Sequence, residues 1–109
     1  MKFDMNKMLQ EAQRMQAELA KAQEEAATEV VEASAGGGMV TVRANGAGEV
    51  VEIRIDPHAV DPDDPELLAD MVLAAVNEAL RSARSLMESK MSGIVPGDLG
   101  GLGGLVPGS

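Results

Sequence analysis

The chain of 109 residues has no cysteine, no tryptophan and no tyrosine, and only one phenylalanine and one histidine. Without cysteine there is no disulfide, no thiolate nucleophile and no thiolate-bound zinc. With Phe3 as the sole aromatic, the stacking platforms that hold single-stranded nucleic acid or RNA bases are missing. The largest contributors to buried area are missing with them. Val, Ile, Leu, Met and Ala must therefore build the core, and a core so small is expected to be completed by a second copy. No apolar run approaches the ~20 residues needed to span a bilayer. Met1-Lys2-Phe3-Asp4-Met5 carries charges where a signal peptide would be apolar. A cytoplasmic setting is the expectation.

Catalytic chemistry is equally sparse. His58 stands alone between Pro57 and Ala59, without an oriented partner in the sequence, and reads as a solvated loop residue. The six serines occupy no nucleophile turn. Asp61, Asp63 and Asp64 lack the glycine and distal glutamate of a calcium loop and fit helix capping instead. Gly36-Gly37-Gly38 has no phosphate-loop lysine, and Gly46-Ala47-Gly48 leads into a strand rather than a helix. Both read as hairpin connections. A non-enzymatic protein with no metal and no cofactor is expected.

What is present is order. Met5, Met8, Ala12, Met15, Leu19, Ala22 and Ala26 recur at alternating steps of three and four, the a/d seam of a helix that presses a narrow face on a partner. Lys7, Arg14 and Lys21 recur every seven residues beside it, each followed four residues later by Glu11, Glu18 or Glu25. The cations stand ~10.5 Å apart along the axis. They could form a row of phosphate contacts, or a solvated face of weak ion pairs from which a phosphate could displace the glutamate. The methionines Met5, Met8, Met15, Met71, Met87 and Met91 likewise fit either an adaptable binding surface or packing and a dimer seam.

Net charge is −9, but it is unevenly spread: residues 28–64 carry eight acidic and two basic groups, whereas seven of the nine basic side chains fall in residues 1–27 and 65–92. Bulk attraction to nucleic acid is thereby excluded.

The pattern predicts a first helix over 4–27 with Asp4 as N-cap, then strands over 28–33, 39–44 and 49–56, the last two joined by the turn Asn45-Gly46-Ala47-Gly48. Val51, Ile53 and Ile55 should face the core. Asp64 and Pro65 start a second helix that runs to about Met91 and stops at Gly93. Residues 1–92 form a single domain. The Gly- and Leu-rich tail 93–109 has no periodic pattern and is expected to be disordered or loosely docked. Both helices should overhang an eight-residue strand by roughly 10 Å, and an overhanging apolar seam calls for another chain.

The ordered set of stretches resembles the YbaB/EbfC family of bacterial nucleoid-associated proteins. It includes Gly38-Met39-Val40-Thr41-Val42-Arg43-Ala44-Asn45-Gly46-Ala47-Gly48-Glu49-Val50, Ile53-Arg54-Ile55-Asp56-Pro57 and Val60-Asp61-Pro62-Asp63-Asp64. It continues with Leu67 to Leu80, Glu88-Ser89-Lys90-Met91 and the Gly-Leu end. The resemblance implies an α+β protomer with a long N-terminal helix, a three-stranded antiparallel sheet and a long C-terminal helix, paired as a tweezer-like homodimer. It also implies binding of double-stranded DNA, nucleoid association, chromosome organisation and gene regulation. The implied DNA contacts are Lys2, Lys7, Arg14 and Lys21 on the first helix and Arg81, Arg84 and Lys90 on the last. Sheet and helix faces are expected to join across a two-fold axis, with Met5, Met8, Met15, Leu19, Val40 and Val42 at the interface. The charge of −9 departs from a comfortable DNA binder, so the acidic middle must face away from the duplex. The alternative is a dimeric clamp that holds DNA repair factors or other partner proteins through Met-rich helices and the tail.

Overall fold

The computed structural model of the protein describes residues 4–94; Lys2 and the tail beyond Ile94 lie outside them. The α1 helix (Met5–Thr28) begins where the Asp4 carboxylate accepts the Lys7 N–H at 3.1 Å. It leads into strands β1 (Val30–Ala35), β2 (Val40–Asn45) and β3 (Val50–Ile55). They form an antiparallel sheet in the order β1-β2-β3. A short 3-10 turn, Pro57–Ala59, precedes α2 (Pro65–Ser92), which the Asp64 carboxylate caps by accepting the Leu67 N–H at 3.2 Å. This is the expected α+β arrangement. The first strand starts two residues later than its composition predicts, because Thr28 stays helical and its hydroxyl donates to the Glu25 carbonyl at 2.8 Å.

The core is thin. Val40, Val42 and Ala44 of β2 meet Ala75, Ala79 and Ala83 of α2, and all six are fully buried. Alanine at every fourth helical position leaves no side chain to hold the helix off the sheet, so the valines of β2 fill the centre of the gap, with Leu68, Met71, Val72, Val76 and Leu80 of α2 around them. Val31, Ala33 and Ala35 of β1 pack against the same cluster. Val40 and Val42 therefore belong to the chain's own interior. Their assignment to a dimer interface is corrected by α2, which covers them completely.

A second correction concerns β3. Ile53 and Ile55 lie opposite Val42 and Val40, hence on the face that carries α2. Yet α2 lies over β1 and β2, and Ile53 and Ile55 remain 45% and 41% exposed. Val51 is the extra residue of a bulge between Arg43/Ala44 and Glu52/Val50, and it too is exposed. The alternation gives Ile53 and Ile55 the right face, but the helix needed to cover that strand does not reach it.

One turn is held by close approach. The Gly46 N–H donates to the Ala26 carbonyl at 2.9 Å, and a Cβ at Gly46 would run into the Ala26 backbone. The β2–β3 turn is thereby fastened to the end of α1. Ala22 and Ala26 are buried, and Lys90 of α2 forms an ion pair with Glu29 just past α1. The root of α1 is fixed at three places. Its N-terminal half runs on as an arm.

Candidate nucleic-acid interface

The arm presents two stripes. Along the seam, Ala22 and Ala26 are buried, Leu19 and Met15 half-buried, and Met8 and Met5 are 55% and 63% exposed. Cover is thus lost progressively toward the N-terminus. Beside the seam stand Lys7, Arg14 and Lys21, each exposed and each two helical turns from the next.

The three cations are not equivalent. The Arg14 guanidinium donates to Glu18 at 2.8 Å and to Glu11 at 2.9 Å. Its hydrogen bond and charge hold the Glu11 carboxyl below the usual carboxylate range, and the two glutamates raise Arg14. Lys7 and Lys21 make no ion pair among the described residues. Solvent-exposed clusters of this kind are weak and exchange readily with other anions.

The α2 cations divide as well. Arg81 lies on Glu78, with a 2.6 Å contact. Arg84 has no acidic partner among the described residues and lines a hollow with Leu80, Met87 and the Gly46-Ala47-Gly48 turn. Lys90 points instead into the junction with α1. Glu29 raises its ammonium pKa, the hydrogen bond between them being the main cause, and that pair ties the helices together. Lys21 and Lys90 share the groove at the arm's root with Glu18, Ala22, Glu25, Gly93 and Ile94. The structure therefore keeps Lys7, Arg14 and Lys21 on one face, sets Arg81 and Arg84 on the second helix, and gives Lys90 a structural contact.

Of the acidic stretch 28–64, Glu29 sits at the arm's root on Lys90, whereas the carboxylates of residues 56–64 lie at the far end of the sheet. Asp56 follows β3 at the end of the sheet opposite the Gly46 turn, and Asp61, Asp63 and Asp64 follow it. The Asp56 carboxylate accepts the His58 backbone N–H at 2.8 Å and approaches its ring Nδ1 at 2.8 Å, and these contacts hold it below the usual carboxylate range. Asp61 and Asp64 likewise accept backbone N–H groups, as capping residues do. On the outer sheet face, Arg43 stands between Glu32 and Glu52, so that cation is neutralised. Among the described residues no group of His, Asp or Glu is placed to hold a metal ion, and no helix is long and apolar enough to cross a membrane.

The family model for the YbaB/EbfC DNA-binding family matches residues 1–99. The chain belongs to this family. A nucleoid-associated protein of Thermoanaerobacter pseudethanolicus is 53% identical over 95 residues, covering 87% of this chain and 86% of its own. A nucleoid-associated protein of Saccharopolyspora erythraea is 50% identical over 105 residues, covering 94% and 90%. A crystal structure of an uncharacterized protein from Helicobacter pylori superposes with a TM-score of 0.71 at 24% identity, over 81% of this chain and 92% of that one, and shares its fold. The YbaB/EbfC family is one of nucleoid-associated DNA-binding proteins rather than enzymes.

Two features of this YbaB/EbfC chain escaped sequence reasoning. One is the Glu29–Lys90 tie, whose partners are far apart in the chain and carry no local signal. The other is an apolar strip on α2 that is open at Leu73 and packs against the core at Val76 and Leu80. Leu73 (60% exposed), Val76 and Leu80 share one flank of that helix. Leu80 lies next to the β2–β3 turn, so this flank faces the side of β3, where Ile53 and Ile55 are open. The sequence signal was Leu73, one step outside the stripe that Ala75, Ala79 and Ala83 bury.

Proposed function

We propose that the protein is a cytoplasmic, nucleoid-associated homodimer that binds double-stranded DNA through its projecting α1 arms, with roles in chromosome organisation and gene regulation. Lys7, Arg14 and Lys21 meet phosphates, and Arg81 and Arg84 add contacts from α2; Lys2, outside the described residues, is a further candidate contact. One observation carries the reading: a cationic stripe at heptad spacing stands on an arm whose root is fixed to the sheet, at the opposite end from the acidic loop. A rigid mount matters because phosphate contacts set register and orientation.

The second copy joins through the open strip of Ile53, Ile55 and Leu73. That strip is continuous with the protomer core, since Ile53 and Ile55 extend the row of Val42 and Val40. Pairing there leaves both arms projecting. Met5, Met8, Met15 and Leu19 then remain on the arms as a separate apolar surface.

Duplex binding across a salt series tests the function. With about four phosphates contacted, log affinity should fall against log salt with a slope near −3.6. Replacing Lys7, Arg14 and Lys21 together by alanine should weaken binding and flatten the slope while leaving the mass in light scattering unchanged. A flat salt response in the parent protein would reject phosphate contact and favour a clamp for partner proteins.

A further inference from the structure

The arm poses a problem that DNA binding does not solve: its largest apolar side chains are its most exposed. Met5, Met8 and Leu9 are all more than half exposed, and Ala12 on the next turn is exposed as well. Their spacing of three and four residues puts them on one face of the helix. Contiguous apolar surface of this kind marks a contact with something else.

The root of the same seam shows what kind of cover fits. There α2 lies on α1: Lys90 pairs with Glu29, and four residues on Ile94 shares a groove with Glu18 and Ala22. The second helix therefore runs toward the arm tip as it covers the seam, and it ends at Ser92. Its cover is apolar over Ala22 and Ala26 and basic at one side, where Glu29 and Glu25 both stabilise the Lys90 ammonium.

That acidic side continues to the tip. Asp4, Glu11, Glu18 and Glu25 recur every seven residues along one flank of the seam, between it and the stripe of Lys7, Arg14 and Lys21. The opposite flank carries Leu9, Gln16 and Gln23, and no charge. Arg14 holds Glu11 and Glu18 from the outer side, yet each ionised carboxylate keeps acceptor sites to spare. A second copy of the arm does not match this edge. Paired antiparallel, its own acidic row would face this one; paired parallel, it would bring Leu9, Gln16 and Gln23. Neither arrangement supplies a cation.

We infer that the arm tip is a docking site for an amphipathic helix of another protein, whose apolar stripe lies on Met5, Met8 and Leu9 and whose basic flank lies on Glu11 and Glu18. The occupant takes up the line of α2 where α2 ends. From Met5 to Met15 the site is ~15 Å long, room for about three helical turns. Helices that dock in this way are held by anchors at i, i+3, i+4 and i+7. Ala12 lets the occupant come close, and the flexible methionines mould to its side chains. The cationic stripe stays open beyond the acidic row, so this inference and DNA binding fail separately.

Fluorescence anisotropy with the full-length protein tests the site. The probe is a labelled synthetic helix of about 15 residues, with a leucine stripe and lysines along one flank. Its twin carries glutamate at each lysine position. The lysine peptide should bind about ten-fold or more tighter than the glutamate peptide. Met5→Ala, Met8→Ala and Leu9→Ala combined should weaken it by about ten-fold or more. The far-UV spectrum should be kept, because all three side chains are exposed and alanine favours helix. Glu11→Gln with Glu18→Gln should weaken binding several-fold. Asp61→Asn with Asp63→Asn, at the far end of the sheet, removes the same charge and should leave it unchanged. Binding that survives the alanine variant, or falls equally with either carboxylate pair, would overturn the site in favour of bulk attraction to an acidic protein. Absence of binding by the lysine peptide would overturn it outright. A halved mass for the alanine variant in light scattering would also overturn it, by showing that a second copy already lies on the seam.

Discussion

The body and the arm of this chain use apolar side chains in opposite ways. In the body, the buried positions are small: Ala75, Ala79 and Ala83 against Val40, Val42 and Ala44. On the arm, Met5, Met8 and Leu9 stand in the open. Close approach of α2 to β2 explains the first, because small side chains allow two backbones to pack tightly and exclude water completely. Length explains the second. A 24-residue helix extends ~36 Å, but it meets the sheet only at its C-terminal end, by the Gly46 turn, and α2 accompanies it only to about Glu18, so its N-terminal part has neither beneath it. The body is specified by what it encloses and the arm by what it presents. The β3 strip lies between these extremes, being part of the core row in register but left without a cover.

That contrast can be broken most severely in the body. Val42→Asp would place an unpaired carboxylate in a site with no water and no cation. It should cost at least ~4 kcal/mol, enough to abolish the thermal transition seen by far-UV circular dichroism. The matched change on the arm, Leu9→Asp, should shift stability by less than ~0.5 kcal/mol. Similar losses from both would mean that the arm is packed as the body is. The intermediate region should respond in assembly rather than folding. Ile53→Asp with Leu73→Asp should halve the mass measured by light scattering at low micromolar concentration while the far-UV spectrum is kept. An unchanged mass would move the two-fold contact elsewhere.

The distinction between these regions was only partly legible in the sequence. Helix starts could be read because their causes are local. Asp4 and Asp64 cap N–H groups three residues on, and Pro65 sits where a missing N–H does no harm. The hairpin at Asn45 to Gly48 was legible for the same reason: the Asn45 side chain accepts the N–H groups of Ala47 and Glu49. The clamp on Arg14 followed from spacing, although Glu11 joins Glu18 in it from the preceding turn. What could not be read was which strands α2 would cover. The two-residue period of Glu49 to Asp56 fixes which side chains share a face, but whether a helix lies on that face depends on contacts remote in sequence. For this reason the sequence points to an interface for Val40 and Val42 and to the core for Val51, Ile53 and Ile55, the reverse of their burial.

The smallest effect concerns the arm alone. Glu11 and Glu18 hold Arg14 in the free protein, so every phosphate that Arg14 reaches must displace a carboxylate. Glu11→Gln with Glu18→Gln should leave the fold intact and raise duplex affinity by a few-fold. The salt slope should steepen by up to about 0.9 for each added phosphate contact. The pH dependence has a definite sign. Because Arg14 holds the Glu11 carboxyl below its ordinary value, Glu11 stays ionised through neutral pH and its pairing contributes little change there. The stabilisation it gives is present above the unfolded-state value and is lost as pH falls through the lower folded-state value. Between pH 6 and 8 the parent and the double Gln variant should therefore differ by a constant factor in affinity. A difference that narrows with falling pH across that interval would show that these carboxylates are not what restrains Arg14.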